Sequence, residues 1–131
     1  MADYTIVRLE EVADVLGDYP GEMRMLTSDL EAEQVAFTYR RMPQHTGGKG
    51  SYGHRHKEQE EIYFVVSGKL QFKLGDDVID VERGGAVRVP PETWRSVWNE
   101  EPEDAELIIV SKVVPGGSGE DAEYLQNFWP L

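Results

Sequence analysis

The sequence contains no cysteine, which excludes disulfides, thiolate metal ligands and a cysteine nucleophile. Basic residues are scarce: 13 Lys and Arg stand against 25 Asp and Glu, a formal charge of -12. A field of that sign repels phosphate backbones and anionic lipid surfaces, so neither nucleic acid nor a membrane is an expected partner. Long hydrophobic runs are also missing. Apolar stretches such as 107–110 fall far short of the roughly 20 residues needed to cross a bilayer, and the first residues, Met-Ala-Asp-Tyr-Thr-Ile-Val-Arg, lack the basic and apolar segments of a signal peptide. A cytoplasmic location is the default expectation. Histidine is the last scarce type, at His45, His54 and His56 only.

What is present is enough for one globular unit. The 131 residues are 40% hydrophobic and 29% charged, the balance of a folded chain rather than a disordered one, and we expect a single domain over 1–131. Residues 5–7 read as a short strand. Leu9, Val12, Ala13 and Leu16 recur at helical spacing up to Gly17, which predicts one short N-terminal helix. The rest reads as strands. Residues 34–42 alternate Val35, Phe37 and Tyr39 with Ala36, Thr38 and Arg40, a period of two. Further strands are expected at 62–66, 70–74, 78–81, 86–89, 94–98 and 107–114, with turns at Gly75-Asp76-Asp77 and Gly84-Gly85. Many short strands between turns predict an all-β antiparallel barrel or sandwich. Pro115 to Gly119 is expected to link to a last segment whose Tyr124, Phe128 and Trp129 dock on the body or on a partner.

The strand from Glu61 carries two apolar faces: Tyr63 and Val65 on the side of Glu61, Ile62, Phe64 and Val66 on the other. The second face needs a cover from the N-terminal helix, the C-terminal segment or a second subunit, and a homodimer is the favoured expectation.

Chemistry concentrates in Gly53-His-Arg-His56. In an extended segment the two imidazoles project from one face and Arg55 from the other. Neighbouring rings can then converge on one ion at about 2.0–2.1 Å from each nitrogen. Glu61, reached after a short turn, supplies a carboxylate from the next strand. Two imidazoles and one carboxylate suit divalent Fe, Mn, Ni or Zn and leave coordination positions open. On its own, a His-x-His pair is equally compatible with surface histidines.

The wider spacing is more specific. Gly48 is followed by five residues and then His54-Arg-His56; four residues separate His56 from Glu61, and six separate Glu61 from Gly68. Further on, Gly84 is followed by five residues and Pro90-Pro-Glu92, then two residues to Arg95 and three to Asn99. The first run resembles the first cupin motif at every fixed position, and the second is similar to the second cupin motif. The resemblance covers about residues 34–114. It implies a jelly-roll barrel with a ligand cavity in its mouth and a divalent metal held by His54, His56 and Glu61. The family's fourth ligand is a histidine where this chain has Arg95, and Glu92 replaces a glycine.

A guanidinium has no lone pair and stays protonated, so Arg95 is not a ligand. Two outcomes stay open. Three ligands keep the metal while Arg95 clamps an anionic small molecule in bidentate fashion, or Arg95 pairs with Glu61 in place of the metal and the site binds ligands without one. The reaction classes implied are oxygenation, isomerisation or lyase chemistry; the rivals are a non-catalytic binding module and a structural accessory protein.

Other residues carry two readings each. Tyr63 lines the cavity or fills the core. Arg88 is a surface residue or a second cation in the pocket. Of Arg40 and Arg41, adjacent on one strand, only one faces inward. His45 is expected in solvent, Asn99 in a turn, and Glu58 and Glu60 in a solvated acidic turn. Trp94 and Trp98 are expected outside the barrel mouth or in a subunit contact.

Overall fold

The computed structural model describes residues 3–131. Its strands are β1 (Glu22–Met25), β2 (Val35–Met42), β3 (Thr46–Gly47), β4 (Tyr52–His56), β5 (Glu61–Ser67), β6 (Lys69–Leu74), β7 (Asp77–Glu82), β8 (Ala86–Val89), β9 (Arg95–Asn99), β10 (Ala105–Lys112) and β11 (Ala122–Gln126), with one α-helical turn, α1, at Gly117–Asp121. They form two antiparallel sheets. One runs β1-β2-β10-β5-β8, the other β11-β4-β9-β6-β7, with β3 added on β9. The mostly-β antiparallel architecture expected from the alternating segments is the one observed.

The core lies between the sheets. Tyr63, Val65, Leu70, Phe72, Val89, Val97, Leu107 and Met42 are buried there in one cluster. β5 shows why: its inward residues Glu61, Tyr63 and Val65 are buried, while Ile62, Phe64 and Val66 between them are exposed, the period of two that a pleated strand imposes. β6 and β7 close through a two-residue turn between Leu74 and Asp77, which Gly75 permits at a positive φ of 59°.

The N-terminal segment differs from its periodicity. Helical geometry is confined to a single 3-10 turn at Leu9–Glu11, and residues 5–7 are not a strand. The chain turns extended because a strand partner captures it. Asp14 forms a β-bridge with Arg24, its carboxylate accepts the N–H groups of Leu16 and Met23, and Arg24 donates to the carbonyl of Val12. These long-range bonds outweigh the weak helix preference of a short segment. β1 itself carries no clear alternation and escapes a sequence reading.

The glycine-rich link is better ordered than its composition suggests. α1 occupies Gly117–Asp121, and β11 pairs along the whole of β4, from Ala122 opposite His56 to Gln126 opposite Tyr52. Trp129 is buried beyond it. The C-terminal segment therefore docks on the body of the chain, beside the histidine strand. No helix among the described residues is long and apolar enough to cross a membrane.

Candidate metal centre

The two sheets bring the three expected ligands together. His54 and His56 share one face of β4, and Glu61 reaches them from β5 in the opposite sheet. One ligand atom from each of His54, His56 and Glu61 lies within 4.8 Å of the others. Each histidine Nε2 is 3.5 Å from Glu61 Oε1, and the rings stand edge to face with centroids 5.0 Å apart. His56 is buried, whereas His54 is 28% exposed along its side chain, so the site has one wet side. Arg55 points away, its guanidinium over the Trp94 ring at 4.5 Å.

A residue the sequence did not flag organises the cluster. Asp121, at the end of α1, places Oδ2 at 3.2 Å from His56 Nδ1. The same carboxylate accepts the backbone N–H groups of Glu58 and Gln59. Burial pushes its pKa up, but those N–H groups and His56 outweigh it and hold Asp121 below the ordinary aspartate value. A charged Asp121 favours the Nδ1–H form of His56, which leaves the lone pair of Nε2 facing Glu61 and His54. This is how a ligating histidine is oriented from behind. Asp121 lies far along the chain from Glu61, and no local pattern announces it.

Glu61 is the centre of convergence. Besides the two imidazoles, Tyr63 donates its hydroxyl to Oε1 at 2.6 Å, and Arg95 Nε lies 3.4 Å from the same oxygen. Burial raises the Glu61 pKa, yet the adjacent imidazoles of His54 and His56 and the hydrogen bond from Tyr63 outweigh it and keep the carboxyl far below its ordinary range. Tyr63 is driven the other way, well above the usual phenol value, first by burial and then by the Glu61 charge. Tyr63 thus both packs in the core and lines the cavity.

Arg95 requires a correction. It is fully buried and its terminal nitrogens donate to the carbonyls of Pro90, Pro91 and Thr93. It does not line the cavity. Its terminal nitrogens are directed into the turn before β9 and only Nε faces Glu61, so they do not form the bidentate clamp that was one of the two outcomes expected from the sequence. Arg88 is corrected likewise. It lies on the outer face of β8, 62% exposed and paired with Glu60 at 2.7 Å, and is not a second pocket cation.

The cavity has a volume of about 560 Å³ and is lined by His54, His56, Glu61 and Tyr63 together with Arg40, Ser96 and apolar residues of both sheets. Arg40 faces inward, while Arg41 turns outward to Glu22 and Asp104. His45 lies outside, bonded to Glu100 and stacked on Trp98. Asn99 is buried, donating to the carbonyls of Met42 and Glu103, so it orders the loop after β9. Trp98 is nearly buried and stacked on His45, away from the cavity lining.

Residues 41–111 match the family model described as the cupin domain. The chain belongs to the cupin family. A cupin protein from Bacteroides fragilis superposes with a TM-score of 0.66 at 21% identity, over 88% of each chain. A structure from Thermotoga maritima, titled a predicted oxalate decarboxylase, superposes at 0.67 and 19% identity, over 84% of this cupin and 100% of that chain. An uncharacterized protein of Methanocaldococcus jannaschii is 30% identical over 73 residues, which are 56% of this chain and 57% of that protein. This cupin therefore spans little more than half the length of that curated relative.

Proposed function

We propose that this cupin holds a divalent transition metal through His54, His56 and Glu61 and acts on or binds a small molecule in the adjoining cavity. The observation that carries the reading is the orientation of His56. Asp121 secures Nδ1 from behind, so Nε2 presents a lone pair beside a second imidazole and a carboxylate. Two imidazole nitrogens and one carboxylate suit Fe, Mn, Ni or Zn. When bound, such an ion supplies Lewis acidity toward a substrate oxygen. The chain's own residues hold that centre, keep one side dry through Tyr63 and the apolar wall, and leave the His54 side open to an incoming molecule. The name of the Thermotoga neighbour adds decarboxylation to the lyase class as one activity to assay.

A second reading is favoured by one contact. Arg95 Nε sits 3.4 Å from Glu61 Oε1, close enough to neutralise the carboxylate without an ion, and the cupin is then a metal-free ligand-binding or structural protein. Metal analysis separates the two. Untagged protein, stripped with a chelator and titrated calorimetrically with Mn²⁺ or Zn²⁺, should bind close to one ion per chain, and His54→Ala should lose that binding. Fewer than about one ion per ten wild-type chains after reconstitution would establish the metal-free reading.

The reading includes a homodimer. Register places Tyr39 and Phe64 on either side of Ile108, and Phe37 and Ile62 on either side of Val110, so six apolar side chains share the outer face of three adjacent strands. The C-terminal segment is committed to the other sheet and does not cover them. A second copy of the same face does so by symmetry.

A further inference from the structure

Arg40 presents an electrostatic problem that the metal site does not resolve. It extends from β2 into the cavity, and its Nε is buried without a hydrogen-bond partner among the described residues. Among the described residues no carboxylate forms an ion pair with it, and the side chains of Tyr19, Tyr52 and Tyr63 line the same cavity. Its neighbour Arg41 has both Glu22 and Asp104 within 2.9 Å. Burial works against the Arg40 charge, yet a guanidinium does not release its proton at ordinary pH. A half-buried cation without a counter-charge is costly, and a native fold keeps such a group where something else completes it.

The rest of the cavity narrows what that can be. Among the described residues, Arg40 is the one Lys or Arg side chain lining it, and the wall around includes Met23, Met25, Val97 and Ile109. The other charged side chain, Glu61, is negative, as is the protein as a whole. One guanidinium balances one negative charge. A carboxylate carries that single charge and matches the fork of a guanidinium with two parallel hydrogen bonds.

We infer that the cavity takes a monocarboxylate with an apolar body, its carboxylate held by Arg40 on the β2 wall and its body laid along the methionine-lined side. This rests on the cavity being the ligand site and names the class of molecule it accepts; Arg40, not Arg95, is the anion-recognising arginine.

The test uses octanoate, octanamide and octyl phosphate as probes, titrated calorimetrically into full-length protein stripped of metal, so that direct coordination of the probe does not contribute. Octanoate should bind at least about tenfold more tightly than octanamide, and Arg40→Met should abolish that preference while Zn²⁺ binding at the histidines persists. Arg40→Lys, which keeps the charge without the planar fork, should retain part of the preference and covers the case in which Arg40→Met does not fold. Equal binding of acid and amide by the wild type, an undiminished preference in Arg40→Met, or tighter binding of octyl phosphate than of octanoate would each overturn the assignment. Failure of the wild type to bind Zn²⁺ would sink the metal reading alone, because the octanoate comparison is made without metal.

Discussion

At the scale of single residues, the centre depends on a carboxylate that touches no ligand atom on the cavity side. Asp121 makes His56 a usable donor by bonding Nδ1, and it also gathers the backbone N–H groups of residues 58 and 59, which set the turn leading to Glu61. Asp121→Asn keeps the volume but loses the charge that favours the Nδ1–H form. We expect this variant to fold and to bind Zn²⁺ about 10- to 100-fold more weakly, as measured by competition with a chromogenic chelator. His54, His56 and Glu61 were legible as a group because two of them lie two residues apart and the third follows a short turn. Asp121 was not, because only the pairing of β11 with β4 brings it back. Of the two roles the sequence leaves open for Arg95, the clamp is lost for a related reason: its place in the motif is visible in the chain, but the three carbonyls that take its terminal donors belong to the shape of the turn from Pro90 to Thr93.

At the scale of elements, β1 is held to β2 by charge as well as by backbone bonds. Glu22 accepts from Arg41 and Arg24 at 2.7 Å, and the Arg41 bond, followed by that of Arg24, lowers its pKa below the ordinary 4.5. A carboxyl depressed in the folded state contributes stability that is complete above its unfolded value and is lost as pH falls through the folded one. Thermal stability should therefore decline on acidification below about pH 4.5, and Glu22→Gln should flatten this part of the profile of melting temperature against pH. Equal acid slopes in both proteins would remove Glu22 from the account. The strands with strict alternation, β5 above all, were readable because burial of one face writes a period of two into the sequence. β1 and the segment before it were not, since their order comes from Asp14 and Arg24, partners that no local rule connects. The period in β2 was visible but not its sense: the inward face carries Thr38 and Arg40, and the more apolar residues Phe37 and Tyr39 lie outside.

At the scale of the whole molecule, an apolar outer face is shared by three strands. The outer face of β2, β10 and β5 is apolar where a monomer would present charge, and Ile62, Phe64 and Val66 are exposed on it. Sedimentation velocity at micromolar concentration is expected to give the mass of two chains. Phe64→Glu, which sets like charges facing each other across a symmetric contact, is expected to give one. A wild-type protein that sediments as a single chain would mean that this face is covered by something other than its own copy.

β11 and Asp121 also have a consequence for biogenesis. While a ribosome is still adding residues after position 120, β4 is an open edge and His56 has no partner at Nδ1. The three proposed ligands precede residue 62, but the carboxylate that orients His56 arrives only with the last stretch, which zips onto β4. For the proposed centre, this means that Asp121 can orient His56 only after residues 117–126 have folded onto β4.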